Sequence, residues 1–182
     1  MTNFTITVQD QGVRDALNQL LQRSQNPQQV LEQIGEKIIE RAKHRFETST
    51  DPAGQLWKPN TAATLSMLAA RLGKMTSYRT KAGDLNRHGM ERVANKKPLI
   101  GESGELHRQI VQEVGTDTLT VRATPTYSAI HQFGGRTSPR SMIPGKTIPA
   151  RPFMPITANG QLYPRERADI LQAINDYLIH GL

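Results

Sequence analysis

The sequence predicts an α+β fold: long amphipathic helices packed on a small, mainly antiparallel sheet, with a long basic loop and a proline-rich arm attached. Three observations carry this. Val30, Leu31, Ile34, Ile38, Ala42 and Phe46 keep a helical spacing over about twenty residues, from about Pro27 to Thr48. Leu119, Val121 and Ala123 alternate with Thr118, Thr120 and Arg122, and with Ile110-Val111-Gln112-Glu113-Val114 before them they read as a β-hairpin. Ala168, Ile170, Leu171, Ile174, Leu178 and Ile179 make a last helical stripe from Arg165 to Leu182, behind Pro164, which suits a helix start.

Taken in order, Phe4, Ile6 and Val8 alternate with Thr5, Thr7 and Gln9 and predict a short opening strand. Val13, Ala16, Leu17, Leu20 and Leu21 then share one helical face, with Asp10 placed to cap it, and Ser24-Gln25-Asn26-Pro27 breaks the helix. In the long helix that follows, Lys37, Arg41 and Arg45 lie on a second, solvated stripe. Gly35 costs about 1 kcal/mol there relative to alanine and points to a close packing contact. Asp51-Pro52-Ala53-Gly54 is a turn, and Trp57, the lone tryptophan, is expected to seal the helix end against the core. Thr61 reads as the cap of a short helix carrying Leu65, Leu68, Ala69 and Leu72.

From Gly73 to Lys97 apolar periodicity fails while glycine and basic residues recur, so residues 73–97 are expected to form a long exposed loop. Ser103-Gly104 is a turn, Glu105 to Ile110 a helical turn, and Tyr127, Ile130, His131 and Phe133 a further helical turn closed by Gly134-Gly135. Residues 136–158 are read as a loop and the proline-rich arm. In that arm Pro149, Pro152 and Pro155 fix φ and remove backbone donors, which excludes a helix interior or a central strand, while Ile148, Phe153 and Met154 supply apolar anchors. Phe153 is expected to dock on a neighbouring subunit, its own domain being the alternative, and Arg151 to fork onto a carboxylate or backbone carbonyls. No repeat or second core is visible, so residues 1–182 are read as a single domain.

Composition narrows the chemistry. The 182 residues carry a formal charge of +7, and between Met67 and Ile100 eight basic residues face two acidic ones. Candidate contacts of that segment are Lys74, Arg79, Lys81, Arg87, Arg92, Lys96 and Lys97, facing nucleic acid, a negative protein surface, or only solvent. Tyr78 is the segment's one aromatic residue, which is too few for base stacking. There is no cysteine, so disulfides and thiolate chemistry are excluded. The five histidines stand singly, without metal-ligand spacing, and no glycine run has a phosphate-cradling pattern. Ser103 and Ser128 lack acid–base partners, and His131 is read as a hydrogen-bonded turn residue, so no catalytic, cofactor or metal residue is expected. No apolar run approaches the roughly 20 residues of a membrane span, and the first ten residues lack a signal peptide's charged start and apolar stretch.

Four segments in a fixed order carry a resemblance. They are Arg45-Phe46 followed by Asp51-Pro52-Ala53-Gly54-Gln55-Leu56-Trp57, then Leu99-Ile100-Gly101-Glu102-Ser103-Gly104-Glu105-Leu106, then Tyr127-Ser128-Ala129-Ile130-His131-Gln132-Phe133-Gly134, then Ile148-Pro149-Ala150-Arg151-Pro152-Phe153-Met154. Together they resemble the phage virion morphogenesis family, tail-completion proteins at the head–tail junction, which includes proteins of Mu-like phages. The resemblance implies an α+β fold, no catalysis and no cofactor. It further implies a homo-oligomeric ring, six-fold, at the virion neck, assembled in the bacterial host cytoplasm, with DNA passing through its lumen. The implied partners are further copies of the chain, a head–tail connector or portal-side protein, a tail terminator or tail tube protein, and genomic DNA in non-specific proximity, with no membrane. The candidate interface residues are Arg151, Phe153, Met154, Tyr127, His131 and Phe133. The alternative is a small basic nucleic-acid-binding protein of phage origin, and a third class is a hydrolase with an unrecognised site.

Overall fold

A computed structural model describes residues 11–101, 103–140 and 144–181. Along them run the helices α1 (Gln11–Gln25), α2 (Gln28–Thr48), α3 (Ala62–Leu72), α4 (Arg87–Ala94) and α5 (Glu105–Arg108), then strands β1 (Ile110–Val114) and β2 (Leu119–Ala123). Helix α6 (Ser128–Phe133), strands β3 (Gly135–Arg136) and β4 (Thr147–Ile148) and helix α7 (Pro164–His180) complete the order. The fold is α+β, and both two-stranded ladders are antiparallel. The predicted opening strand and the cap at Asp10 lie outside the described residues.

Helix α2 is the mast of the fold because its apolar stripe is long enough to serve two cores. Val30, Ile34 and Ile38, on its first half, bury against Tyr177 of α7, with Leu119, Val121, Ile170 and Ile174 packed around them. Ala42 and Phe46, on its second half, meet Trp57, Leu106, Ile110 and Phe153. Phe46 is fully buried and sets its ring edge-on to Trp57, with centroids 5.5 Å apart, so the tryptophan does close the helix end. The helix stops where Ser49 takes a left-handed conformation, its N–H donating to the Arg45 carbonyl. Asp51 then accepts from the backbone N–H groups of Ala53 and Gln55, at 2.9 and 2.8 Å, which fixes the turn that brings Trp57 back.

The hairpin lies across the middle of α2, with Ile110 opposite Ala123 and Val114 opposite Leu119. Gly35 is the reason it fits so closely. A Cβ at Gly35 would stand 1.8 Å from Gln112 Oε1 and 2.9 Å from a Leu119 methyl, so the close contact expected from its cost to the helix is made with the hairpin. Thr61 caps α3 by accepting from the Thr64 N–H at 3.3 Å.

Residues 73–97 differ from the expected structureless loop. They contain a 3-10 turn at Thr76–Tyr78, an antiparallel bridge between Arg79 and Leu85, and the whole of α4. Apolar periodicity misses this helix because its packing residue is a glycine: Gly89 is buried, and a Cβ there would lie 2.7 Å from the Tyr78 carbonyl oxygen. Its start is fixed locally, since Asn86 accepts from the Gly89 N–H at 2.9 Å, and Arg87 pairs with Glu91 one turn on. The loop expected ahead of the proline arm is likewise held at both ends, with Gly135 paired to Ile148 and Arg136 to Thr147.

Candidate functional site

The proline arm runs back over the end of α2, and every feature that stiffens it also leaves polar groups to be satisfied. Gln132 of α6, buried at 4 % exposure, satisfies four of them. Its Oε1 accepts from the N–H groups of Phe153 and Met154, both at 2.9 Å, and its Nε2 donates to the carbonyls of Met154 and Ile156 at 3.3 and 2.9 Å. Trp57 Nε1 donates to the Pro152 carbonyl at 3.0 Å. Gly134 makes the approach possible: its φ of +73° is left-handed, and a Cβ would stand 2.8 Å from the Ala150 nitrogen.

Arg151 and Phe153 complete the lock. The Arg151 guanidinium forks onto two backbone carbonyls, Nε donating to Lys58 and Nη2 to Pro59, each at 2.8 Å, while burial lowers its pKa. Phe153 is 1 % exposed and packs on Phe46 with ring centroids 5.2 Å apart. The pocket for Phe153 is therefore on its own domain and not on a neighbour, because the second half of α2, Trp57 and Leu106 leave a hole of that shape when the hairpin folds over them. Arg151 is equally internal, and Met154 packs against the same core.

Beneath the arm lies an ion network. Arg45, expected on the solvated stripe of α2, is instead buried, because it reaches Glu166 of α7 with Nη2 and donates from Nη1 to the Phe153 carbonyl at 2.9 Å, tying α2, α7 and the arm together. Arg41 bridges Glu166 and Asp169 at 3.2 and 2.6 Å. Burial lowers the pKa of Arg45, opposed by the charge of Glu166. Both Arg45 and Glu166 are under 7 % exposed; removing Glu166 leaves the buried Arg45 without its ion-pair partner, a loss of about 3–5 kcal/mol, whereas removing Arg45 leaves Glu166 still paired with Arg41.

Tyr127, His131 and Phe133 sit on or beside α6. Tyr127 stands edge-on to His131 at 5.8 Å and donates to Glu105 at 3.3 Å; burial and the Glu105 charge raise its pKa. His131 is the least satisfied of these groups. Its Nδ1 is buried without a hydrogen-bond partner, and burial, then the Arg151 charge, push its pKa down, so the hydrogen bond expected to fix the turn runs through its backbone carbonyl, which accepts from the Arg151 N–H at 2.8 Å. Tyr127 and Phe133 remain 40 % and 44 % exposed, which leaves them as the members of the expected interface set that face outward. Ser103 Oγ accepts from the Glu105 N–H, and Ser128 donates to the Ala123 carbonyl, so both serine hydroxyls serve local turns. Among the described residues no group of three His, Asp or Glu side chains is placed to hold a metal, and no helix is long and apolar enough to cross a membrane.

The basic residues of 73–97 do not form one patch. Lys74 and Lys81 are exposed on turns and Arg79 is exposed at its bridge to Leu85, and Arg87 is paired with Glu91 on α4. Arg92 lies 5.6 Å over the Tyr78 ring, and the Lys97 ammonium donates to the Glu47 carbonyl at 2.7 Å. Arg92, Lys96 and Lys97 do come together, with Arg71, around a groove of about 590 Å³ between α3 and α4. Helix α1 buries none of its residues. Leu17, Leu20 and Leu21 face outward there at 59, 38 and 55 % exposure, and Arg23 holds the helix to the C-terminal carbonyls of α7.

The model of the phage virion morphogenesis family matches residues 8–178 of this chain. The chain belongs to that family. It is also similar to Mu-like prophage FluMu G protein 2 of Haemophilus influenzae, 34 % identical over 86 residues, which are 47 % of this chain and 55 % of that protein. The match thus spans about half the length of that relative. No solved structure matches the chain significantly. Membership gives the chain a phage structural or assembly role. In that light the four segments that carried the resemblance acquire a physical meaning: Arg45-Phe46, Trp57, Leu106, Gln132 and Arg151–Phe153 converge on one knot of contacts. Sequence reasoning passed over Gln132 and Glu166 because an isolated glutamine or glutamate carries no periodicity. The only signals were the position of Gln132 inside a shared segment and of Glu166 in the first turn of α7.

Proposed function

We propose that this chain is a tail-completion or head–tail joining protein, a non-catalytic subunit of a ring at the virion neck through whose lumen DNA passes. The observation that carries this reading, beyond the family, is α1: a fifteen-residue helix with an apolar stripe and no buried residue, tied to α7 by Arg23 near its end. Water-facing leucines in such a row cost free energy until another surface covers them. A second copy of the chain is the simplest cover, since in a closed ring each subunit repeats one head-to-tail contact and weak contacts accumulate around it. Six-fold symmetry, a head-side connector or portal protein, and a tail terminator or tube protein complete the proposal. The arm supports it indirectly, because its anchors are spent on the subunit's own rigidity and leave α1, α6 and the basic groove as contact surfaces.

Complementation tests the reading. Host cells infected with a phage lacking this gene should yield full heads and complete tails that fail to join, and supplying the chain in trans should restore joined particles in electron micrographs. Particles that join normally without it would overturn the neck assignment. The nucleic-acid-binding alternative predicts instead a defect in DNA content with the junction intact.

A further inference from the structure

The groove between α3 and α4 has a chemistry that the neck reading does not specify. Its floor is apolar, formed by Met67 and Leu68 of α3 and by Ile100, and Met67 is 64 % exposed although it lies in a helix that has a core to face. Its rim is basic, with Arg92 and Lys97 placed there by α4 and by the segment that follows it. The Lys97 ammonium donates to a backbone carbonyl and Arg92 rests over Tyr78, neither of which neutralises a charge. Counting through Glu102, residues 67–102 carry eight basic residues against three acidic ones, so the positive balance is a property of the whole segment.

Two kinds of acidic partner could meet such a rim, and the floor chooses between them. A nucleic-acid backbone offers phosphates but no aliphatic group to cover Met67 and Ile100. Its bases would need an exposed ring to stack on, whereas the nearby Tyr78 already stacks on His88 at 5.3 Å. A peptide segment offers both chemistries at once: carboxylates for Arg92 and Lys97, and a branched or aromatic side chain for the floor. A volume of about 590 Å³ holds a few such side chains. We infer that this groove docks an acidic peptide segment of a partner protein, anchored by an apolar side chain on Met67 and Ile100 and oriented by Arg92 and Lys97.

Fluorescence anisotropy on the full chain tests this without any need for assembly, so its outcome is separate from that of the neck proposal. The probes are two labelled peptides of equal length and charge, one alternating glutamate with leucine and one alternating glutamate with serine, with duplex DNA as competitor. The leucine peptide should bind at least about tenfold more tightly than the serine peptide, a difference of about 1.4 kcal/mol. Arg92→Glu combined with Lys97→Glu should weaken binding of both peptides by about tenfold or more. Met67→Ser, at a position exposed enough to leave folding intact, should remove the preference for leucine while sparing the serine peptide. If the charge reversals shift the melting temperature, Arg92→Gln with Lys97→Gln takes their place, with the same expected direction. Equal binding of the two peptides, retention of the preference in Met67→Ser, or displacement of the leucine peptide by DNA at lower charge concentration would each overturn the inference.

Discussion

Phe153 concentrates much of what this fold asks of a single side chain. Its ring fills the space between Phe46 and the arm, its N–H is held by Gln132, and its carbonyl is held by Arg45. Phe153→Ala should therefore destabilise the isolated subunit by about 3–5 kcal/mol, lowering its melting temperature by about 10 °C in a calorimetric scan. An unchanged melting point would mean that the ring is not the plug of this core. His131 gives the chain a pH dependence. Its folded pKa is depressed below the ordinary value near 6.5 by burial and by Arg151, so the unfolded chain takes up the proton first as pH falls. Stability should fall as pH drops through about 6.5 towards the lower folded pKa, and His131→Gln should flatten that slope in urea titrations across the same range. A slope identical in the variant would assign the acid sensitivity to other groups.

At the scale of elements, two contacts decide how helices meet their neighbours. Helix α2 carries Gly35 where alanine would favour the helix by about 1 kcal/mol, and it does so because the hairpin is pressed against that position. Gly35→Ala should be destabilising by about 1 kcal/mol net, since the overpacking term of about 1–3 kcal/mol exceeds the propensity gain. Gln112 Oε1 is the nearest obstacle and is itself buried without a partner, so Gly35→Ala together with Gln112→Ala should recover part of the loss, the Leu119 methyl at 2.9 Å remaining in place. A double-variant cycle in urea would show that recovery as a non-additive term, and strict additivity would place the strain elsewhere. Helix α4 makes a different prediction for proteolysis. Trypsin should cut first after Lys81 or Arg79, in the exposed turn joined by the Arg79–Leu85 bridge, and more slowly after Arg87 and Arg92, whose backbone is hydrogen-bonded in the helix. Mass spectrometry of early fragments would read that order, and equal cutting throughout 73–97 would return the segment to a loop.

For the whole molecule, the proposed ring requires a surface on which a second copy could dock. The body is closed on itself by α2, the hairpin, α7 and the arm, and its polar links cross long stretches of sequence: Arg45 to Glu166, Arg151 to Lys58, and Tyr177 to the Asn26 carbonyl at 2.7 Å. Helix α1 stands apart from that closure. Leu17→Ser with Leu21→Ser should leave the subunit's melting within about 0.5 kcal/mol per site, as exposed substitutions do, while reducing self-association in sedimentation velocity. Unchanged association would place the subunit contact elsewhere, and a large loss of stability would show that α1 belongs to the subunit's own core.

Elements whose signals are local are legible in the chain before it folds. The periodicity of α2 and α7, the alternation of the hairpin, Thr61 as a cap, and the exclusion of the arm from helix and central strand all follow from neighbouring residues and the covalent limits of proline. The order of four short segments also disclosed the family. The destination of the arm's anchors is a matter of tertiary packing, because a phenylalanine between prolines is equally presented to its own domain or to a neighbour until the site beside Phe46 and Trp57 exists. The same holds for α4, whose packing face is a buried glycine and so leaves no apolar trace, and for Gln132 and Glu166, whose roles appear only when residues 20 or more positions away are folded against them. Periodicity reports which face is buried; it is silent about what a lone polar group or a missing side chain will meet.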